Sequence, residues 1–354
     1  MSTTRPVTHL SLHRIAGTEL RVVGDVETGV LPVIDLEETT VRRYIGLGHW
    51  PHRWVTLFIL QDLAPLARQL REQNPNEAEL STGGLPGGVA DMSSRPVVCI
   101  YDLTDLANCQ VFISQQALSR AELWGDTLAV QALLAHEHAH PLTENALTRL
   151  SRQLRAELAL APQFEAQAFS SSPAATSLVS WLGRLVDEFV RYAPRELLAN
   201  ELVLRAGWTD ALAHLDRRTL SLALQDLRGR EQLANLLKQQ VEQEGLTPTL
   251  AAAHLLSADL RHANLALEVA SFARAGQESV ARQLDGDVRS FLAQLDPQVV
   301  SFYTFLIDQY MDLEIEYGPE QLVAWGQAIL QALTGAITAK GLQLASRLYL
   351  VQGT

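Results

Sequence analysis

Lysine is nearly missing from this 354-residue chain. Lys238 and Lys340 are the only two, and arginine carries the rest of the positive charge. Acidic residues outnumber basic ones 40 to 28, for a net charge of −12, and no Lys/Arg cluster adjoins aromatic residues. That excludes a nucleic-acid backbone as an expected partner, because phosphate binding needs a concentrated cationic face. Long apolar runs are also missing: none approaches the roughly 20 residues that cross a bilayer, so no membrane span is expected. The start, Met1 to Pro6, lacks the apolar stretch of a secretory signal, and the expected location is cytoplasmic. Only two cysteines occur, Cys99 and Cys109, without the C-x-x-C spacing of a zinc knuckle. In a reducing compartment they read as two buried thiols rather than a disulfide.

What is present is a hydrophobic content of 47 percent, enough for a substantial core in one large or two modest domains. Within it stands Leu133-Leu134-Ala135-His136-Glu137-His138-Ala139-His140, which contains H-E-x-x-H. A helix turns about 100° per residue, so His136 and His140 project from one face and can share one Zn²⁺. Glu137 is then placed to take a proton from a zinc-activated water and hand it to a leaving amine. The preceding Leu128 to Ala135 is rich in helix formers and has no Gly or Pro, which is the element this motif requires. Pro141 follows the second histidine directly, so the helix is expected to end or kink at His140. A second helix is expected to run from an N-cap at Thr143 to about Leu160. His138, about 200° from His136 around the helix, is expected to pack or face solvent.

A catalytic zinc needs a third protein ligand and one open position. After a break at Ala193-Pro194, residues 195–207 read as a short helix with Pro194 in its first turn and Gly207 just past its end. Its Glu196-x-x-Ala199-Asn200 resembles the E-x-x-A-[D/N] segment that follows H-E-x-x-H in the gluzincin metallopeptidases. That group includes membrane-linked CAAX-type proteases and soluble regulatory proteases of the ImmA/IrrE type. The resemblance implies Glu196 as third zinc ligand and Asn200 as the residue that orients a zinc-bound histidine. Spacing agrees, since Glu196 and Asn200 are an i, i+4 pair and a ligating imidazole needs a partner for its other nitrogen. Glu201 stands as an alternative third ligand, with Asp187 and Glu188 behind it. The oxyanion-stabilising group stays open among Tyr192, His214, His254, His262, Tyr303, Tyr310 and Tyr317.

The expected fold is α+β and predominantly helical: a zincin-like lobe with a mixed sheet over 1–207, then an all-α region over 208–354. Strands are expected at Glu19 to Val23, Val30 to Ile34, Arg53 to Leu60, Val97 to Tyr101 and Cys109 to Ser114. Gln110 to Ser114 resembles the edge strand along which zincins align an extended substrate, with an ordinary core strand as the other reading. A helix capped by Asp62 covers Leu63 to Gln73, and the Gly/Pro-rich stretch 74–96 reads as a loop. Further helices are expected at Leu178 to Tyr192, Pro194 to Ala206, Arg218 to Glu244, Pro248 to Ala275, Glu278 to Leu295, Gln298 to Glu314, and Pro319 to Leu350 with interruptions at Gly335 and Gly341. The acidic run from Asp308 to Glu320 reads as a solvated face.

Together these point to a zinc-dependent peptidase with a peptide or protein substrate, its helical region offering a surface for homo-oligomers. Two other readings stand beside it. One is a helical protein-interaction module with a degenerate or structural metal site. The other is a different metal-dependent hydrolase using His136-x-His138-x-His140, whose three histidines would share a face if this segment were a strand.

Overall fold

The β-branched and apolar residues of the first 114 positions build a mixed sheet. The structure is a computed structural model that describes residues 7–26, 28–48, 50–73, 95–160 and 173–351. The chain divides into two compact units, each of two segments: residues 1–144 with 199–215, and 145–198 with 216–354. The boundary expected at residue 207 falls inside the second segment of the first unit.

In the first unit, β1 (Thr8–Ile15), β2 (Thr18–Gly24), β3 (Trp54–Leu60), β4 (Val97–Tyr101) and β5 (Asn108–Ser114) form one sheet in the order β1-β2-β3-β5-β4. The β2/β3 and β3/β5 pairs are parallel, and β1/β2 and β5/β4 are antiparallel. β1 was not expected from sequence. It pairs through a tight turn at Ala16 and Gly17, both with positive φ, a conformation usually signalled by Asn-Gly or Asp-Gly.

A parallel pair needs a crossover, and α1 (Val30–Gly46) supplies it between β2 and β3. The strand expected at Val30 to Ile34 is therefore the first turn of a helix. Its β-branched residues suggested a strand, but the buried positions Val33, Ile34, Glu37, Thr40, Val41 and Tyr44 follow the helical period. α2 (Ala64–Gln73) starts where Asp62 Oδ1 accepts from the Ala64 N–H. The 74–94 part of the expected Gly/Pro loop lies outside the described residues.

Strand alternation splits the core into two layers. Val55, Leu57, Cys99, Cys109 and Val111 join α1 and α4 (Thr127–Thr143) on one face. Phe58, Leu60, Val98 and Phe112 meet Leu63 and, from α2, Ala67 on the other. A short α3 (Gln115–Arg120) links β5 to α4. β5 lies between β3 and β4, so Gln110 to Ser114 is an inner strand and the edge beyond it is β4.

The second unit is mostly helical. Asn145 caps α5 (Ala146–Gln153) through a capping box with Thr148, so the N-cap is Asn145 rather than Thr143. The expected helix stops there: Leu154–Leu160 is strand β6, paired antiparallel with β7 (Leu344–Leu350). The C-terminal region is thus not all-α. Helical propensity in both segments yields to a pairing partner 184 to 196 residues away, which no local pattern announces.

The expected break at Ala193-Pro194 is absent. α6 (Pro173–Val186) continues through a π-helical turn, Asp187–Tyr192, into α7 (Ala193–Arg205). Pro194 removes one ladder bond, and the π turn lies in the turn directly before it. α8 (Thr209–Gln225) and α9 (Leu227–Gln243) separate at Asp226 where one helix was expected. α10 (Pro248–Leu260) and α11 (Leu265–Arg274) are joined by a 3₁₀ turn at Arg261–Asn264. α12 (Glu278–Leu292), α13 (Pro297–Met311) and α14 (Pro319–Thr338) follow. Gly335 does not interrupt α14, and at Gly326 a Cβ would stand 2.5 Å from Leu348 and 2.6 Å from Val190, so the close packing there requires glycine. No helix among the described residues is long and apolar enough to cross a membrane.

Candidate metal centre

Helix α4 begins where Asp126 Oδ1 accepts from the Ala129 N–H at 3.1 Å, satisfying an otherwise orphaned donor. It is buried on nearly every side. Against α1, the Tyr44 hydroxyl donates to the Ala135 carbonyl at 2.7 Å and Gln131 Nε2 donates to Thr40 Oγ1 at 2.7 Å. Helical geometry continues through Pro141 to Thr143, so the expected end at His140 is displaced by one turn. A proline this near a C-terminus removes a single ladder bond, and the Thr143 hydroxyl caps the Ala139 carbonyl at 2.9 Å.

The rings of His136 and His140 lie with centroids 4.5 Å apart and planes at 83°. His136 Nδ1 donates to Asn200 Oδ1 at 2.7 Å. That bond fixes the tautomer and leaves Nε2 as the lone-pair nitrogen. Asn200 sits on α7, one continuous helix whose residues from Ala199 onward belong to the first unit. Arg43 Nε, donating to the Ala206 carbonyl at 2.5 Å, ties the end of that helix to α1. Glu196 is one turn ahead of Asn200 on the same face, so the helix itself carries it toward the histidines. One ligand atom from each of His136, His140 and Glu196 lies within 4.8 Å of the others. Two imidazoles and a carboxylate are a donor set that suits zinc.

Glu137 is 6% exposed, and its Oε2 accepts from the Cys99 backbone N–H of β4 at 3.0 Å. The edge strand beside this carboxylate is therefore β4. Arg195, buried, approaches Glu196 Oε1 at 3.4 Å. Glu201 pairs with Arg205 at 2.9 Å and does not join the cluster. Asp187 faces Arg191 at 3.7 Å.

The expected oxyanion candidates have partners of their own. His214 Nε2 donates to Asp126 Oδ2, and His254 to the Ala174 carbonyl. Tyr303 donates to Asp285, Tyr310 to the Phe189 carbonyl and Tyr317 to the Asp312 carbonyl. Arg191 donates to the Tyr192 hydroxyl at 3.3 Å. His262 lines a cavity of about 340 Å³ within the second unit, with Trp181, Arg184, Glu188 and Arg261. Burial pushes the Glu188 carboxyl up. The acidic residues Asp308, Asp312, Glu314, Glu316 and Glu320 are all exposed.

His138 does not share the face of its neighbours, which removes the three-histidine strand reading. It is fully buried, neither solvent-facing nor mere packing, and its Nε2 donates to Glu37 Oε1 at 2.7 Å. Burial alone would lower its pKa, but the Glu37 carboxylate and the Cys109 sulfur outweigh burial and hold it up at about 10. Sequence reasoning passed over Glu37 and His52. Residues 37, 52, 109 and 138 share no spacing, and the only signal was that Cys99 and Cys109 fall on the same sheet face.

Comparison with family models, with curated proteins and with solved structures found no match to this chain.

Proposed function

We propose that the chain is a zinc-dependent peptidase of zincin type. The observation that carries the reading is the convergence of His136, His140 and Glu196, with ligand atoms within 4.8 Å of one another. A zinc ion held there would polarise a scissile carbonyl and ease the deprotonation of water. Glu137 is the general base: it takes the proton of the attacking water and returns it to the leaving amine. The Cys99 N–H fixes one of its carboxylate oxygens, so the base is oriented before substrate arrives. Asn200 holds the His136 ring in the tautomer that presents Nε2. Edge strand β4 lies against Glu137 and takes the part first assigned to Gln110 to Ser114. An extended peptide adding to it gains sequence-tolerant backbone hydrogen bonds. A cytoplasmic location belongs to the same reading, since Cys99 and Cys109 are unbridged thiols, as a reducing compartment keeps them.

Arg195 beside Glu196 favours one rival, a protein-binding module in which an arginine rather than a cation neutralises the carboxylate. Zinc content and peptide-library turnover of wild type, His140→Ala and Glu137→Gln separate the two. The expected result is one zinc equivalent lost in His140→Ala. Glu137→Gln should keep its zinc while turnover falls by about 10²–10⁴-fold. Full zinc in wild type without turnover would favour the binding module. Zinc content unchanged by His140→Ala would overturn the three-ligand centre.

A further inference from the structure

The opposite face of α4 holds a second set of ligand atoms. His52, Cys109 and His138 each offer one atom, all within 4.8 Å of one another, and all three residues are buried. The Cys99 sulfur lies 3.2 Å from that of Cys109. Every member lies within the first unit.

The hydrogen bonds behind the two imidazoles decide what the front can do. His138 donates Nε2–H to Glu37, and His52 donates Nδ1–H to the Leu106 carbonyl. Each bond holds its ring with the other nitrogen, Nδ1 of His138 and Nε2 of His52, turned away from that partner. Both of those nitrogens are buried and make no hydrogen bond of ordinary geometry, and the Cys109 sulfur is the polar atom beside that of His138. A buried polar atom left unpaired costs about 1–3 kcal/mol, and here two ring nitrogens share one cluster with a sulfur. An imidazole whose rear nitrogen is held by a carboxylate or a backbone carbonyl is how proteins orient a metal-ligating histidine.

We infer that His52 Nε2, His138 Nδ1 and Cys109 Sγ, with Cys99 Sγ as the fourth donor, form a buried structural zinc site distinct from the centre at His136, His140 and Glu196. A Cys₂His₂ set selects zinc among the common divalent ions, and a closed four-donor site serves the fold rather than chemistry. Neighbouring ligand atoms around a tetrahedral zinc stand about 3.3–3.8 Å apart for zinc–nitrogen and zinc–sulfur bonds of about 2.0–2.3 Å. His52, Cys109 and His138 offer ligand atoms within 4.8 Å of one another, and the Cys99 sulfur lies 3.2 Å from that of Cys109. Trp50 covers His52 edge-on at 4.7 Å and lies 5.3 Å from His138, shielding the site from water. Helix α4 would then be held between two cations, one on each face.

The test loads the full chain, purified under reducing conditions, with Zn²⁺ or Co²⁺ and removes the excess. Two zinc equivalents are expected in wild type. Cys109→Ser and His52→Gln each lose one and retain the other, with melting temperatures below that of the loaded wild type. Cobalt in wild type and in His140→Ala should give thiolate-to-metal charge-transfer absorption, because the other centre contains no sulfur. That arm requires no substitution in the buried cluster and so survives a variant that fails to fold. Failure of the peptidase centre would leave it untouched. No charge transfer in the cobalt-loaded protein would overturn the site. So would a folded Cys109→Ser that holds as much metal as wild type, or recovery of Cys99 and Cys109 as a metal-free disulfide.

Discussion

The two faces of α4 present histidines to opposite surroundings. On one face, His136 and Glu196 keep some exposure and the backing partner of His136 is a neutral amide. On the other, His52, Cys109 and His138 are all buried and the backing partner of His138 is a carboxylate. A catalytic metal site must leave a position open for water and substrate, whereas a structural one closes every position with protein. A carboxylate behind an imidazole also makes it a more basic ligand than an amide does. The difference teaches that one helix can divide labour by face: damage on the buried face should register in stability, and damage on the open face in turnover.

The largest effect should come from the buried face. Glu37 and His138 are both 0% exposed and bonded to each other. Glu37→Ala leaves His138 buried without its partner, and breaking such a pair costs about 3–5 kcal/mol. Urea unfolding would show it, while turnover per folded molecule stays near wild type. Stability unchanged within error would remove the structural role assigned to this face. A smaller effect of the opposite kind is expected from Asn200→Ala. Losing the acceptor behind His136 should weaken zinc affinity at the open face by about 10–100-fold, read by chelator competition, with a stability cost near 1 kcal/mol. Asn200→Asp, which restores an acceptor, should recover most of the affinity. If Asn200→Ala destabilised as much as Glu37→Ala and left affinity alone, the division by face would fail.

The open face was far more legible in the sequence than the buried one. His136, Glu137 and His140 lie within five residues, and Glu196 and Asn200 within another five, so helical periodicity alone places each set on a face. The buried set draws on α1, the segment before β3, the β4/β5 hairpin and α4, and only tertiary structure gathers them. The same contrast runs through the fold. β2, β3, β4 and β5 show as β-branched runs, whereas β6 and β7 carry Leu, Ala, Arg and Glu and become strands by pairing with each other. Val30 to Ile34 erred the other way: three β-branched residues outweighed a helical burial period visible only over the full seventeen residues of α1.

The smallest effect concerns a histidine in the second unit at which burial and an arginine outweigh the neighbouring carboxylates Asp226 and Asp259. His262 packs edge-on against Phe291 at 5.0 Å and receives a hydrogen bond from Arg261 at 3.3 Å. Burial, reinforced by the Arg261 charge, lowers its pKa from 6.5 to about 4. Between those values the unfolded chain binds a proton that the folded chain refuses. This contribution to stability is therefore fully present above pH 6.5 and is lost as pH falls toward 4. Solvent screening at a half-buried ring reduces the loss to about 1 kcal/mol. His262→Phe keeps the contact with Phe291 and removes the titration. The drop in unfolding free energy between pH 7 and pH 4.5 should therefore be smaller in the variant than in wild type, by that amount. An equal drop in both proteins would assign the acid sensitivity to carboxylates instead. A reversed sign would mean that Asp226 and Asp259 outweigh burial and the Arg261 charge at His262.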